Sequence, residues 1–466
     1  MTRAADPPVI VGAGPAGVRA AQTLVAHGLR PVLIDEAPRA GGQIYRQPPP
    51  GFVRSQRALY GFEAGRAGAV HRAMDALQPL VDHRPGTLVW AVQGARLHLL
   101  HDGRASQIDH AGLVVATGAT DRVLPFPGWT LPGVYTLGAA QVALKYQGCA
   151  IGSRVVLAGT GPLLYLVAHQ YAQAGAGVVA VLDGATLADQ RAALPALLRA
   201  PTALTKGLIY RASLIVRGVR VHQGTRLLRA SSSGDAGERV GAITWRDARG
   251  EHTLDCDAIG FGHALRSETQ LADLLGCEFG WDALQRAHLP LRDAAGRSSV
   301  PGIYLAGDGA AVRGADAAEL AGERAALALL ADRGIAVDTG RAADLERQLH
   351  QQTRLRQAME RAFPFPPDWA AQAPDELLLC RCEEITAGQL RQAAREAGAD
   401  ELNRAKALSR VGMGRCQGRY CGAAAAEVLA HAVGVPIAQV GRLRAQAPVR
   451  PVPFSMAVGP SEGPGP

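Results

Sequence analysis

Short apolar runs recur along this chain, and several of them end on glycine. Residues 8–11 (PVIV) lead straight into Gly12, and residues 31–35 carry Val32 and Ile34 on one face. Residues 112–116 end at Ala116-Thr117-Gly118, and residues 302–306 end at Gly307-Asp308-Gly309. Runs this short and this continuously apolar read as strands of a parallel sheet buried on both faces, not as half-exposed hairpins. Between the first two runs, residues 15–27 read as a helix that Gly28 stops. Residues 152–184 repeat the plan of strand, glycine turn, helix and strand. The predicted fold class is therefore α/β, with two dinucleotide-binding (Rossmann-like) domains, the second inserted in the first.

The glycine spacing gives the first unit its chemistry. Gly12, Gly14 and Gly17 form G-x-G-x-x-G: a tight turn, a close backbone approach to a pyrophosphate, and close packing of helix on strand. The helix start aims free N–H groups at the phosphates. Glu36 falls 19 residues after Gly17, after the second strand, where an acid accepts hydrogen bonds from a ribose. The bland alternative, a glycine-rich surface loop, leaves that acid unexplained. In the second unit Gly159 and Gly161 hold the first two glycine positions, but the third is Leu164, whose bulk pushes the helix from the strand; Asp183 stands at the ribose position. A retained fold without nicotinamide is the favoured expectation there. No C-x-x-C occurs in either unit, which argues against a disulfide reductase.

Composition narrows the partners. The net charge is +8, carried almost entirely by arginine, and no basic block interleaved with aromatics suggests nucleic acid. No apolar run reaches the ~18 residues of a membrane span. The N-terminal apolar stretch is broken by glycines at motif spacing and does not read as a signal peptide. Cys149, Cys256 and Cys277 lie far apart with no disulfide framework, which suits a cytoplasmic location.

Four of the seven cysteines crowd into the last quarter: Cys380 and Cys382 as C-x-C, Cys416 and Cys421 as C-x4-C. Short helices are expected between and after them, the first capped by Thr386 with Gln389, the second by Asp400, the third starting near Cys421 and ending at Gly434. That hairpin brings the two loops together. Four thiolates suit zinc or an iron–sulfur cluster, and free redox-sensing thiols remain an alternative; structural zinc favours wider C-x2-4-C pairs. Gly412, Gly414, Gly418 and Gly422 let backbone N–H groups approach sulfur, and Arg381, Arg410, Arg415 and Arg419 supply positive charge. Cys421, at a helix start, is expected to be a favoured thiolate. Neither His263, read as a surface or turn residue, nor Trp129, read as either a flavin neighbour or a packed residue, carries a catalytic assignment.

These segments, with "RAGGQIYR" at 39–46, resemble the two-dinucleotide-binding-domain flavoproteins. The resemblance implies FAD and makes Gly12, Gly14, Gly17, Glu36, Gly42, Gln43, Thr117, Gly118, Gly307 and Asp308 its contacts, with Gly159 and Gly161 as second-site candidates. "CRCEEIT" with "GMGRCQGRYCG" resembles the bacterioferritin-associated-ferredoxin type [2Fe-2S] domain, which implies Cys380, Cys382, Cys416 and Cys421 as ligands. The order of parts resembles one component of the heteromeric bacterial amino-acid dehydrogenases, the group of opine oxidases, D-hydroxyproline dehydrogenase and hydrogen cyanide synthase. That resemblance implies electron transfer from a partner subunit of the FAD-dependent amino-acid oxidase-like type, with an FMN at the interface. It also implies a small ferredoxin-like chain as a further partner, and peripheral membrane contact through the complex. The expected domains are 1–150 with 266–333 (FAD), 151–265 (inserted), 334–375 (helical linker), 376–440 (a small helical [2Fe-2S] domain) and 441–466, a Pro/Gly-rich tail expected to lack structure or wrap a partner. The competing readings are a self-contained NAD(P)H-dependent reductase and a non-catalytic assembly component.

Overall fold

The computed structural model describes residues 6–233 and 239–454. Its first sheet is parallel, with the order Ile303–Leu305, Leu113–Val115, Val9–Val11, Val32–Ile34, Asp82–Arg84. Alternation along these strands fills two separate cores. Ile10, Leu33, Val114 and Tyr304 pack under helices Pro15–Ala26 and Ala315–Asp332. Val9, Val11, Val32 and Ile34 face the antiparallel strands Thr87–Gln93 and Arg96–His101 through Val89, Leu97 and Leu99. Being buried on both sides is why the sequence runs are uniformly apolar.

The second sheet has the order Arg220–Gln223, Val178–Asp183, Val155–Thr160, Ala258–His263, Val134–Thr136, also parallel throughout. Its edge strand at 134–136 precedes the expected start at 151: the Gly/Pro-rich crossover contributes a strand, followed by helix Leu137–Val142. One face packs helix Pro162–Gln173 through Leu164 and Val167. The other shares a continuous apolar core with the C-terminal module, joining Val156, Leu182 and Phe261 to Leu379, Leu390 and Val428. Trp129 donates to the Leu378 carbonyl at 2.7 Å, which makes it a packed docking residue.

Residues 334–375 include a 24-residue helix, Thr339–Ala362, N-capped by Asp338. It packs on the inserted unit through Ala358 and Ala362 against Ala193 and Leu197. The C-terminal module has helices Ala387–Glu396, Leu402–Ser409 and Gly422–Val433. The Thr386/Gln389 capping box forms, and Gly434 closes the last helix with φ 72°. The second cap is Glu401, not Asp400: its carboxylate accepts from Asn403 N and Arg404 N. The described part of the tail lies on its own chain. Val449 N donates to Trp90 O at 2.9 Å and Arg450 pairs with Glu36 at 2.8 Å; the expectation for 455–466 lies outside the described residues. Among the described residues no helix is long and apolar enough to cross a membrane.

Candidate functional site: a cleft from the glycine cradle to four thiols

Backbone clearance builds the cradle. Gly12 turns at φ +107°, and a side chain there would sit 2.3 Å from the Ala116 carbonyl. A methyl on Gly17 would lie 1.7 Å from Gly12 O, so no larger residue fits the helix start. Gly14 and Gly42 face each other so closely that a Cβ on Gly42 would be 3.0 Å from Gly14 Cα. Asp35, which the motif spacing overlooks in favour of its neighbour, holds the turn: its carboxylate accepts from Ala13 N at 2.5 Å and Ala37 N at 2.6 Å. Burial raises its pKa, opposed by those two bonds. The adjacent Glu36 lines the cleft, paired with Arg450.

A cleft of about 1650 Å³ runs from this cradle. Gly12, Gly14, Glu36, Gly42, Gln43, Thr117, Gly118, Gly307 and Asp308 all line it, whereas Gly17 stands behind the turn. Asp308 also ties its own loop, accepting from Arg313 N at 2.8 Å and Gly314 N at 3.0 Å. Gly159 and Gly161 do not line the cleft. Leu164 is fully buried where the third glycine would stand. Asp183 is fully buried and accepts from Tyr165 Oη at 2.7 Å and Ala185 N at 3.0 Å. Burial pushes its pKa up to about 6. The acid expected to meet a ribose is thus sealed beneath Tyr165.

At its other end the same cleft is lined by Cys380, Cys382, Cys416 and Cys421. Among the described residues no group of three or more His, Cys, Asp or Glu is spaced to hold a metal ion as the side chains stand; the thiols are closed onto one another by hydrogen bonds. Cys421 bonds both Cys380 and Cys416, which lowers them to about 6 and about 5 and pushes Cys421 itself well up. Among the four side chains as they stand, Cys421 acts as the donor and Cys380 and Cys416 as acceptors. Cys382, raised by burial, bonds Cys416. The surroundings fit a thiolate-bound cluster. Backbone N–H groups of Gly412, Glu383 and Cys382 bond Cys380, and those of Tyr420 and Gly418 bond Cys416. A Cβ on Gly414 would fall 2.2 Å from Cys382 Cβ. Gly412 and Gly418 also make room for Leu443.

The expected ring of cations is partly spent elsewhere. Arg381 lies over the Trp129 and Tyr420 rings, and Arg410 pairs with Glu383. Arg419 pairs with buried Glu268 at 2.7 Å. Although burial raises the Glu268 pKa, Arg419 and Arg266 hold it below the usual range. Glu268 also reaches the cradle: its N–H donates to Gly118 O at 2.9 Å, and its carbonyl accepts from Thr117 Oγ1 at 2.6 Å. His263 is the C-terminal residue of strand Ala258–His263, not a surface turn. Its Nδ1 is buried with no partner among the described residues, and burial lowers its pKa to about 4.

A glycine cradle opening through one cleft onto a four-thiol module defines an oxidoreductase of the flavoprotein–iron–sulfur class. The chain belongs to the pyridine nucleotide-disulphide oxidoreductase family, which matches residues 7–336; residues 378–431, containing all four cysteines, match the BFD-like [2Fe-2S] binding domain. With these matches come an FAD site and a [2Fe-2S] site. Residues 7–336 carry no C-x-x-C of the kind a disulfide reductase uses. An opine oxidase subunit from Rhizobium meliloti is 38% identical over 95% of this chain and 85% of its own length. Hydrogen cyanide synthase subunit HcnB of Pseudomonas aeruginosa is 34% identical over 96% of this chain and 97% of its own. The crystal structure of L-proline dehydrogenase from P. horikoshii superposes with a TM-score of 0.70 at 20% identity, covering 97% of this chain and 79% of that one, which shows a shared fold.

Proposed function

We propose that this chain is the electron-transferring flavin/iron–sulfur subunit of a heteromeric, dye- or quinone-linked amino-acid dehydrogenase of the opine, D-hydroxyproline/proline or glycine type. The observation that carries the reading is the single cleft lined by both the glycine cradle and all four cysteines. Flavin exchanges electrons in pairs or singly and a [2Fe-2S] centre takes one at a time, which is the chemistry the bound groups supply. The chain's own residues supply position and charge. Gly14 and Gly42 admit a pyrophosphate, Asp35 fixes the turn, and Asp308 holds the 313–314 loop. Glu268 links the cradle strand end to the Cys416–Cys421 loop.

The substrate is oxidised in a partner, a flavoprotein of the FAD-dependent amino-acid oxidase-like type, with FMN held between the two and a small ferredoxin-like chain as a further component. The names of the opine oxidase and hydrogen cyanide synthase relatives, which call each of those two a subunit, support this. So does an inverted helix. In Pro201–Val216 only Leu214 is buried, while Leu208, Ile209, Ile215 and Val216 are exposed. Its cations point the other way: Lys206 pairs with Glu63, and Arg211 donates to Gln190 and Gln223. An outward apolar face of that kind is what one component of a complex presents to another. Cys149, Cys256 and Cys277, spread along the chain without a disulfide framework, suit the reducing cytoplasm.

The competing reductase reading needs NAD(P)H at the second fold, where Leu164 and the sealed Asp183 oppose it. Anaerobic mixing of the flavin-loaded chain with NADH decides between them. The proposal expects no flavin bleaching with NADH, and bleaching when the co-expressed partner and an opine, proline derivative or glycine are added. Rapid bleaching by NADH alone would establish the reductase instead.

A further inference from the structure

We infer that Arg266 is the built-in counter-charge of the four-cysteine site, a positioning residue that clamps the Cys416–Cys421 loop and raises the reduction potential of the centre held there. The inference rests on the function proposed above. Arg266 belongs to strand Leu265–Ser267, which pairs antiparallel with Ala119–Asp121, with Arg266 opposite Thr120. That second strand leaves the cradle directly after Thr117-Gly118, so the guanidinium is anchored to the dinucleotide-binding side. Its Nη1 crosses to the other side, donating to Arg419 O at 2.8 Å and Gly418 O at 3.4 Å. Both carbonyls lie within the loop between two of the thiols.

The charge count around this contact is uneven. Glu268 is the carboxylate acting on Arg266, and it is already hydrogen-bonded to Arg419 Nε at 2.7 Å and to Gln270 N at 3.2 Å. The structure records no salt bridge to Arg266 itself among the described residues. Two guanidiniums thus share one carboxylate, and the Arg266 Nη1 that carries the surplus positive charge sits on the Gly418 and Arg419 carbonyls, between Cys416 and Cys421 in the chain. A desolvated guanidinium without its own carboxylate is costly unless another anion is close. Four thiolates around an iron–sulfur centre provide that anion. Because the centre gains a negative charge on reduction, a fixed cation beside it stabilises the reduced form more than the oxidised form. Arg410, by contrast, is exposed and neutralised by Glu383.

The neighbouring Gln270 makes a control available. Its Nε2 donates to Gln417 O at 2.8 Å, holding the same loop without charge. The test is a redox titration of the purified, cluster-loaded full chain, followed by the EPR signal of the reduced cluster, with iron per chain measured in parallel. Arg266→Gln is expected to keep its iron and to shift the midpoint potential downward; Arg266→Lys stays near wild type; Gln270→Leu leaves the potential unchanged. Equal potentials for Arg266→Gln and wild type at full iron content would overturn the inference while leaving the proposed function standing. So would a Gln270→Leu shift as large as that of Arg266→Gln, which would make the effect one of loop geometry, or loss of iron in Arg266→Lys as well as Arg266→Gln, which would make the residue merely structural. A wild-type chain that binds no iron would overturn both.

Discussion

Replacing Asp183 by asparagine isolates the argument that the second nucleotide fold has lost its ribose acid. The carboxyl is fully buried, and burial raises its pKa from the ordinary 3.8 to about 6 against the hydrogen bonds from Tyr165 and Ala185. A rise of roughly 2 units corresponds to about 3 kcal/mol between the two protonation states. The sign follows from proton counting. Between pH 3.8 and about 6 the unfolded chain has released a proton that the folded chain retains, so stability falls as pH rises through this window, and the full penalty persists above it. Asparagine carries no such penalty. Urea unfolding followed by tryptophan fluorescence at pH 4, 5, 6 and 7 should show Asp183→Asn gaining on wild type by about 3 kcal/mol across the series. A difference that stays flat with pH would mean that the carboxyl titrates as in water. It would then be open to solvent and to a ribose, and the case against nicotinamide binding would fall.

Other outcomes follow from the same geometry. Gly17→Val puts a side chain into Gly12 O and should yield protein with little bound flavin, read from its visible spectrum, while Gly28→Ala, in open space, should cost about 1 kcal/mol for its positive φ and keep the flavin. Leu208→Glu with Ile215→Glu should leave flavin and iron content intact yet prevent co-purification with the partner; unimpaired complex formation would remove that face from the interface. Trp129→Phe deletes the bond to Leu378 O and should destabilise docking of the C-terminal module by roughly 1–3 kcal/mol, measured by limited proteolysis between 363 and 377.

What can be read from the sequence is what local physics dictates. The strands at 9–11, 32–34, 113–115 and 303–305 are visible because two-sided burial makes them uniformly apolar, and Gly12, Gly14 and Gly17 because their spacing is that of one turn. The Thr386/Gln389 capping box is visible for the same reason: both partners lie within one helical turn. Contacts set by tertiary placement are not legible. Nothing local marks Arg266 or Glu268, which act on a loop about 150 residues away. Asp35 precedes the expected acid by one position, just past strand Val32–Ile34, and its carboxylate accepts from the N–H groups of Ala13 and Ala37. The Pro/Gly-rich composition of the tail conceals that Val449 and Arg450 pack onto Trp90 and Glu36.

One conduit between the glycine cradle and the four thiols is the centre of this account. Its most direct test is rapid-freeze EPR of the anaerobic complex, co-purified with its partner and mixed with its amino-acid substrate. The reduced-cluster signal is predicted to appear as the flavin bleaches, and Cys416→Ser to abolish this signal together with electron delivery to dye, leaving substrate bleaching of the partner's flavin in place. Full dye reduction by the Cys416→Ser complex, with no iron signal at any time, would contradict it.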